Sequence, residues 1–453
     1  MGVNISEYMQ NRGCVQIQGL FGWLSRPFSI ALFVFLLALM TVFPGTSQAQ
    51  NKTIAVFGSS VANGSGDTTG AGGYVGHLAR LLEKRGWKVV NVSRGGDNTS
   101  KILPRFESQL IPVKPAFVII GLSLGNEGIA SGSDLNRERT FEKFRSGMIS
   151  LINRCHENGM VPVVVNCYAR NDFGKEQYAV TKKMNLVINT WDVPSINVLG
   201  TIDNGSGQWV DGYWHDRSHP DYQGHHEMFY AFVPSLFDAM VARKKTPSRS
   251  RSNSYLLICG EKSFSPVVFS PDDTIHSFTV SFVVKTKDTG CLAAIYGGEE
   301  PSFIRIKDGK LSYHSHGRPV IESDTSGESK GWQYIVVAHQ YASGITSYYT
   351  NGVLAGTLKE KVSFRQFVLG GSGEKSKGPA PSRAGYKDLL IYRSALNGDE
   401  VKALYYDQLL QSSLELYAPL NDAVFITGEN VTNCAQSLSN LRINGSSLIS
   451  AEN

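Results

Sequence analysis

From Thr53 to Arg243 short β-branched runs alternate with longer amphipathic stretches, and this alternation constrains the fold more than any other feature of the chain. The runs are "TIAVFG", "KVVNVS", "AFVIIG", "VPVVVNC" and "SINVLG". Helical patterns between them are clearest in "GHLARLLEKRG" and "RTFEKFRSGMISLINRCHENG", and a last one, "YQGHHEMFYAFVPSLFDAMVAR", follows the fifth run. Strands joined through helices lie parallel, so the pattern predicts an α/β fold with five parallel strands between layers of helices. In an open sheet of that kind chemistry gathers at the carboxyl ends of the strands.

The rhythm changes after "RKKTPSRSRS", Arg243 to Ser252. That block is basic, Ser-rich and without apolar periodicity, which predicts a solvated linker over 243–253 and a sheet half, residues 50–242, that folds alone. From Ser254 come short alternating runs such as "HSFTVSFVVKT", "WQYIVVAHQ" and "ITSYYTNGVLAGTL". Asn351-Gly352 between two of them is a hairpin signal, because both central residues of a type I′ turn need φ > 0. Helical patterns are almost absent, so 254–453 reads as an all-β sandwich.

The 453 residues, 18% charged and 42% hydrophobic, suit soluble globular domains apart from one segment, Phe28 to Phe43. It carries no charge, follows Arg12 and Arg26, and leads into Ser47 and Ala49 as a small-x-small cleavage site, the layout of a secretory signal peptide over 1–49. Its sixteen residues fall short of a membrane span, which needs about 18–20. The expectation is an exported chain with no membrane span after cleavage. A net charge of +5, largely local to the linker and without interleaved aromatics, argues against a nucleic-acid partner. After cleavage, which would remove Cys14, the remaining Cys155, Cys167, Cys259, Cys291 and Cys434 are odd in number and lack C-x-x-C spacing, so neither a disulfide framework nor a zinc site is indicated.

Two serines compete as nucleophile. "GLSLG", after the third run, fits the G-x-S-x-G elbow with Ser123 at its centre, while "FGSSV" ends the first run with Ser60. An elbow turns directly from strand into helix, but "LGNEGIASGSD" reads as a Gly/Ser-rich loop, which favours Ser60. Gly64, Gly66 and Gly70 only approximate a dinucleotide fingerprint, and no acidic residue ends the second run to hold a ribose. Near the end of this half, in "DGYWHDRSHPDYQGHHEMF", Asp216 and His219 stand three apart, and Pro220 disfavours a helix at His219. An Asp beside a His can fix its tautomer and stabilise the imidazolium formed when it takes a serine proton. The rival is a metal cluster of His215, Asp216 and His219 with His225 and His226 nearby. The proline spoils the helical spacing such ligands commonly use, so no metal or other cofactor is expected.

Four short blocks in register resemble the SGNH (GDSL-like) hydrolase family: "FGSSV", "NVSRGGDNT", "LGNEG" and "DRSHP" with Gly224 and His225 beyond. The resemblance implies a flavodoxin-like α/β sandwich with Ser60, Asp216 and His219 as catalytic residues. It also implies an oxyanion hole made by the Ser60 N–H, the Gly96 N–H and the Asn126 amide. Ser59 departs from the family's Gly-Asp-Ser, which bears on the hydrogen bonding of that loop. The second half, through "GWQYIVVAHQ", "SYYTNGVLAGTL" and "AGYKDLLIYRSALNGDEVKALYYDQL", resembles a laminin-G-like (concanavalin-like) jelly-roll sandwich. Together these imply a serine esterase acting on acylated carbohydrate or polysaccharide. The alternatives are a lipid esterase or thioesterase of the same chemistry, or a glycan-binding adhesion protein with a decayed esterase half.

Overall fold

The computed structural model describes residues 51–453 except 131–132, 259–265, 316–319, 324–330, 373–377, 422–425, 428, 444–447 and 452–453. The apolar segment at 28–43, its cleavage site and Cys259 lie outside the described residues.

The five runs form one sheet of β1 (Thr53–Gly58), β2 (Lys88–Asn91), β3 (Phe117–Gly121), β4 (Val161–Val165) and β5 (Ser195–Ile196), ordered β2-β1-β3-β4-β5. Every pairing in it is parallel. All five residues of central β3 are buried, as befits a strand covered on both faces. Among the described residues of this half, the α-helices longer than one turn are α1 (Gly73–Glu83), α2 (Asp134–Glu157), α3 (Lys175–Ile188), α4 (Tyr222–Tyr230) and α5 (Leu236–Val241). Leu78, Met228 and Phe237 from α1, α4 and α5 pack with Ile54 and Ile119 on one face. Phe144 and Met184 from α2 and α3 pack with Ala55, Val118 and Ile120 on the other.

Two helical details differ from the sequence pattern. Helix α3 buries Tyr178, Thr181, Met184, Asn185 and Ile188 at helical spacing, but two of these are polar, which dilutes the apolar period. The long C-terminal pattern splits into α4 and α5, because Pro234 lacks the N–H that a continuous helix would use.

The second half is built of two mostly antiparallel sheets, one of eight strands and one of nine. Phe282, Ile335 and Tyr348 from the first meet Phe269, Ile304 and Phe367 from the second in a common core. The helix Gly398–Tyr405 (α6) covers the outer face of the first sheet through Val401 and Leu404. The Asn351-Gly352 hairpin has φ values of 51° and 77°, both in the left-handed region, and joins strands Ile345–Thr350 and Val353–Lys359.

The stretch read as a solvated linker is docked. Lys244 Nζ donates to the carbonyls of Asn433 and Ser437 at 2.6 Å each, Arg249 pairs with Asp388 at 3.6 Å, and the Ser250 N–H donates to the Tyr417 hydroxyl. The reason is that edge strand β5 is finished by the sandwich. The Ser413 N–H donates to Ser195 O at 2.9 Å, and Ser413 Oγ accepts from the Asn197 N–H at 2.7 Å. Arg393, 1% exposed, donates to Tyr230 O while bridging Asp273 and Glu415. These groups are buried as polar pairs, so neither half presents a finished surface without the other.

Candidate active site

Gly58 leaves β1 where no side chain fits, since a Cβ there would stand 2.5 Å from Gly121 O. The chain then turns, with the Ser59 N–H donating to Gly121 O at 3.0 Å, and half-buried Ser60 follows. Ser59 is fully buried, and no well-formed hydrogen bond reaches its hydroxyl, which lies beside the Tyr168 phenol. The exit from β1 is therefore held by backbone, without a carboxylate at position 59.

At the far end of this half, β6 (Trp214–Asp216) and β7 (His219–Pro220) form a small antiparallel hairpin that pairs Asp216 with His219. His219 Nδ1 lies 2.9 and 3.0 Å from the two Asp216 oxygens, and Nε2 lies 3.0 Å from Ser60 Oγ. An ionised carboxylate only accepts, so the proton sits on Nδ1 and the Nε2 lone pair faces the serine. Burial alone would push the Asp216 carboxyl up, but hydrogen bonds from His219 and from the Ser218 N–H outweigh it and hold the group below the usual carboxylate range. The group therefore stays ionised at neutral pH. Hydroxyl, imidazole and carboxylate stand in line as nucleophile, base and orienting acid require.

The hairpin and the serine loop are fitted to one another. A Cβ on Gly66, at φ 94°, would meet Pro220 O at 2.1 Å and His219 Cβ at 2.9 Å. Buried His225 on α4 donates from Nε2 to Ser65 O at 2.9 Å and accepts the Tyr74 N–H at Nδ1, and burial lowers its basicity. The Ser65 N–H in turn donates to Ser60 O at 2.9 Å. His226 instead stacks near His77, and His215 is exposed, so the five residues of the metal reading are not gathered around one point.

Two loops face Ser60 from the neighbouring strand ends. After β2, Gly95 approaches within 3.9 Å of Ser60 Cβ when given a Cβ of its own, and Gly96 follows at φ 77° with open space beside it. After β3, Asn126 Nδ2 donates to Asp97 O at 3.0 Å, Asn98 Nδ2 donates to Asn126 O at 3.2 Å, and buried Glu127 accepts from the Thr99 N–H and hydroxyl. Arg105 pairs with Asp97 from below. An asparagine amide has two N–H donors, so one can fix the loop while the second stays free for a ligand. The Asp97, Arg105 and Glu127 roles escaped the sequence reading. Their only signal was polar residues beside the recognised blocks.

Ser123 is 3% exposed, its hydroxyl lies against the Tyr168 phenol, and it opens a single helical turn, Leu124–Glu127, where a loop was expected. That turn is what Ser123 shares with a nucleophile elbow, but the imidazole of His219 reaches Ser60 instead. Gly64, Gly66 and Gly70 all adopt positive φ. Gly64 packs on Gly72 and Gly66 on Pro220, so both approach this chain's own backbone.

Residues 56–227 match the model of the GDSL-like Lipase/Acylhydrolase family. No curated protein matches the chain. Among solved structures it is similar to a protein described as carbohydrate-binding from Bacteroides ovatus ATCC 8483, at 15% identity and TM-score 0.36 over 45% of this chain and 60% of that one. It thus spans less than two thirds of that protein. A heptameric SAP-like pentraxin from Limulus polyphemus is similar at 14% identity and TM-score 0.34, over 45% of this chain and 97% of that one. A catalytic mutant of an acetylxylan esterase from Geobacillus stearothermophilus is similar at 17% identity and TM-score 0.31, over 40% and 92%.

Proposed function

With residues 56–227 forming a GDSL-like lipase/acylhydrolase domain, whose chemistry is ester hydrolysis, we propose that the protein is an exported serine esterase that removes O-acyl groups, chiefly O-acetyl, from a carbohydrate or polysaccharide. The observation that carries the catalytic assignment is the 3.0 Å approach of His219 Nε2 to Ser60 Oγ, with Asp216 on the opposite ring nitrogen. Ser60 Oγ attacks the ester carbonyl as its proton passes to Nε2, and Asp216 stabilises the imidazolium. The tetrahedral oxyanion is held by the N–H groups of Ser60 and Gly96 and the free N–H of the Asn126 amide, each worth about 3–4 kcal/mol in the transition state. The imidazolium then protonates the leaving alcohol. A water, deprotonated by His219, releases the acyl group as a carboxylic acid.

The carbohydrate reading is supported by the character of the rim. Asp211, His215, Asp216 and Arg217 are all exposed, so the segment that carries the acid and base presents polar surface, where a long acyl chain would stay wet. Export rests on the apolar segment at 28–43 and its small-residue cleavage site. The test is turnover of 4-nitrophenyl acetate. Ser60→Ala should abolish it and Ser123→Ala should leave most of it. An active Ser60→Ala with a dead Ser123→Ala would reverse the assignment.

A further inference from the structure

Two large, partly exposed aromatic side chains, Trp214 and Tyr222, precede and follow His219 in the chain. Trp214 is 39% exposed, whereas Trp87 and Trp209 are 3% and 2% exposed in the cores. Tyr222 is 37% exposed. Trp214 lies on β6, two residues before Asp216, and pairs across the hairpin with Pro220. Tyr222 opens α4, two residues after Pro220, with its ring 5.5 Å from His77 and 6.0 Å from His226. The Asp216 side chain beside them is 48% exposed and that of His219 25% exposed, so the catalytic pair stands at an open surface.

With 39% of its surface in solvent, Trp214 forgoes part of the burial free energy that a ring this size can gain. We infer that Trp214 is a stacking platform for a pyranose ring of the substrate, the ring next to the one that bears the ester. The inference rests on the carbohydrate-esterase reading and names the residue that selects the sugar. The apolar C–H face of a pyranose covers an indole while its hydroxyls stay in water, which an open rim permits. Because Trp214 pairs with Pro220, the residue that follows His219, a sugar held on the indole is kept close to the base in the same hairpin, across the bulge between Trp214 and Asp216. The polymer would lie across the surface, with its ester turned down toward Ser60.

The experiment measures kcat and KM of the mature chain on an O-acetylated xylo-oligosaccharide and on 4-nitrophenyl acetate, for wild type, Trp214→Leu and Trp214→Tyr. The ratio of kcat/KM, saccharide over aryl ester, should fall about tenfold in Trp214→Leu, mostly through KM, and stay within about threefold of wild type in Trp214→Tyr. A ratio unmoved in Trp214→Leu, or lowered equally by Leu and Tyr, overturns the platform and leaves the esterase reading intact. A wild type that cleaves the aryl ester but no acetylated saccharide overturns the carbohydrate reading and the platform with it.

Discussion

Glu400 sits at the third position of α6, 1% exposed, in the boundary between the two halves. Its carboxylate accepts from the Asn397 N–H at 2.9 Å and from Asn397 Nδ2 at 2.8 Å, and across the boundary from Asn197 Nδ2 at 2.9 Å. Burial pushes its carboxyl from 4.5 up to about 7 despite those bonds, with Asp203 nearby adding to the rise. Between those values the native state keeps a proton that the unfolded chain has released. Stability therefore falls as pH rises through that window, and the cost is fully present above about pH 7. The gap of about 2.5 pH units, at about 1.4 kcal/mol each, sets an upper limit of roughly 3–4 kcal/mol. Glu400→Gln fixes the neutral form, so urea unfolding of wild type and variant at pH 5, 6, 7 and 8 should show the variant gaining up to about 3 kcal/mol relative to wild type across the series. His77, lowered to about 4 chiefly by burial, makes stability rise with pH up to its unfolded value of 6.5, but that contribution is common to both proteins and cancels. Parallel stability profiles from pH 5 to 8 would refute the reasoning.

Asn126→Ala should lower kcat on 4-nitrophenyl acetate by on the order of 10²–10³ with little change in KM, because the amide meets charge that develops only in the transition state. A raised KM with kcat intact would remove it from the oxyanion site. Gly66→Ala should lose most activity and on the order of 2 kcal/mol of stability, since its Cβ would stand 2.1 Å from Pro220 O at φ 94°. A melting temperature and rate equal to wild type would show that the hairpin can move aside.

What could be read from the sequence divides along the range of the interactions. Strands β1, β3 and β4 were visible because a strand buried on both faces must be continuously apolar, as "FVIIG" is, whereas edge strand β2, exposed at Lys88 and Asn91, showed only through its β-branched pair Val89-Val90. Ser60 was visible because it follows a strand end, and Asp216 and His219 because Pro220 rules out a helix there, although the loop expected for them is a short hairpin. Helix α3 was harder to see, since Thr181 and Asn185 occupy buried positions where an apolar period would show. Asn185 is there for a tertiary reason: its amide exchanges hydrogen bonds with the backbone of Cys167, eighteen residues away. Nothing local announces such a partner. The supports of Asn126 were hidden in the same way, because Glu127 reads as a loop carboxylate until Thr99 is brought beside it.

The misreading of 243–253 has a more general cause. Charge, serine and the lack of an apolar period describe a segment that cannot form core, but they do not distinguish water from a polar partner surface. Here the partner surface exists because β5 is only two residues long and its outer edge needs donors and acceptors. Ser412 and Ser413 supply them, with Ser412 Oγ 2.6 Å from Ser195 Oγ and within 3.0 Å of Asn189 Oδ1. On the other side, His276 of the sandwich stacks on Tyr230 at 3.7 Å and bonds Glu227 at 3.0 Å, both on the helix that begins just after His219 and Pro220. The sandwich thus grips α4 at its C-terminal end, while His225 grips the same helix from within and ties it to the serine loop. Asp216 and His219, the proposed acid and base, precede a helix fixed from both halves. If they act as proposed, a module joined in this way would bear on the geometry of catalysis, unlike one on a flexible tether, which changes only how often substrate is met.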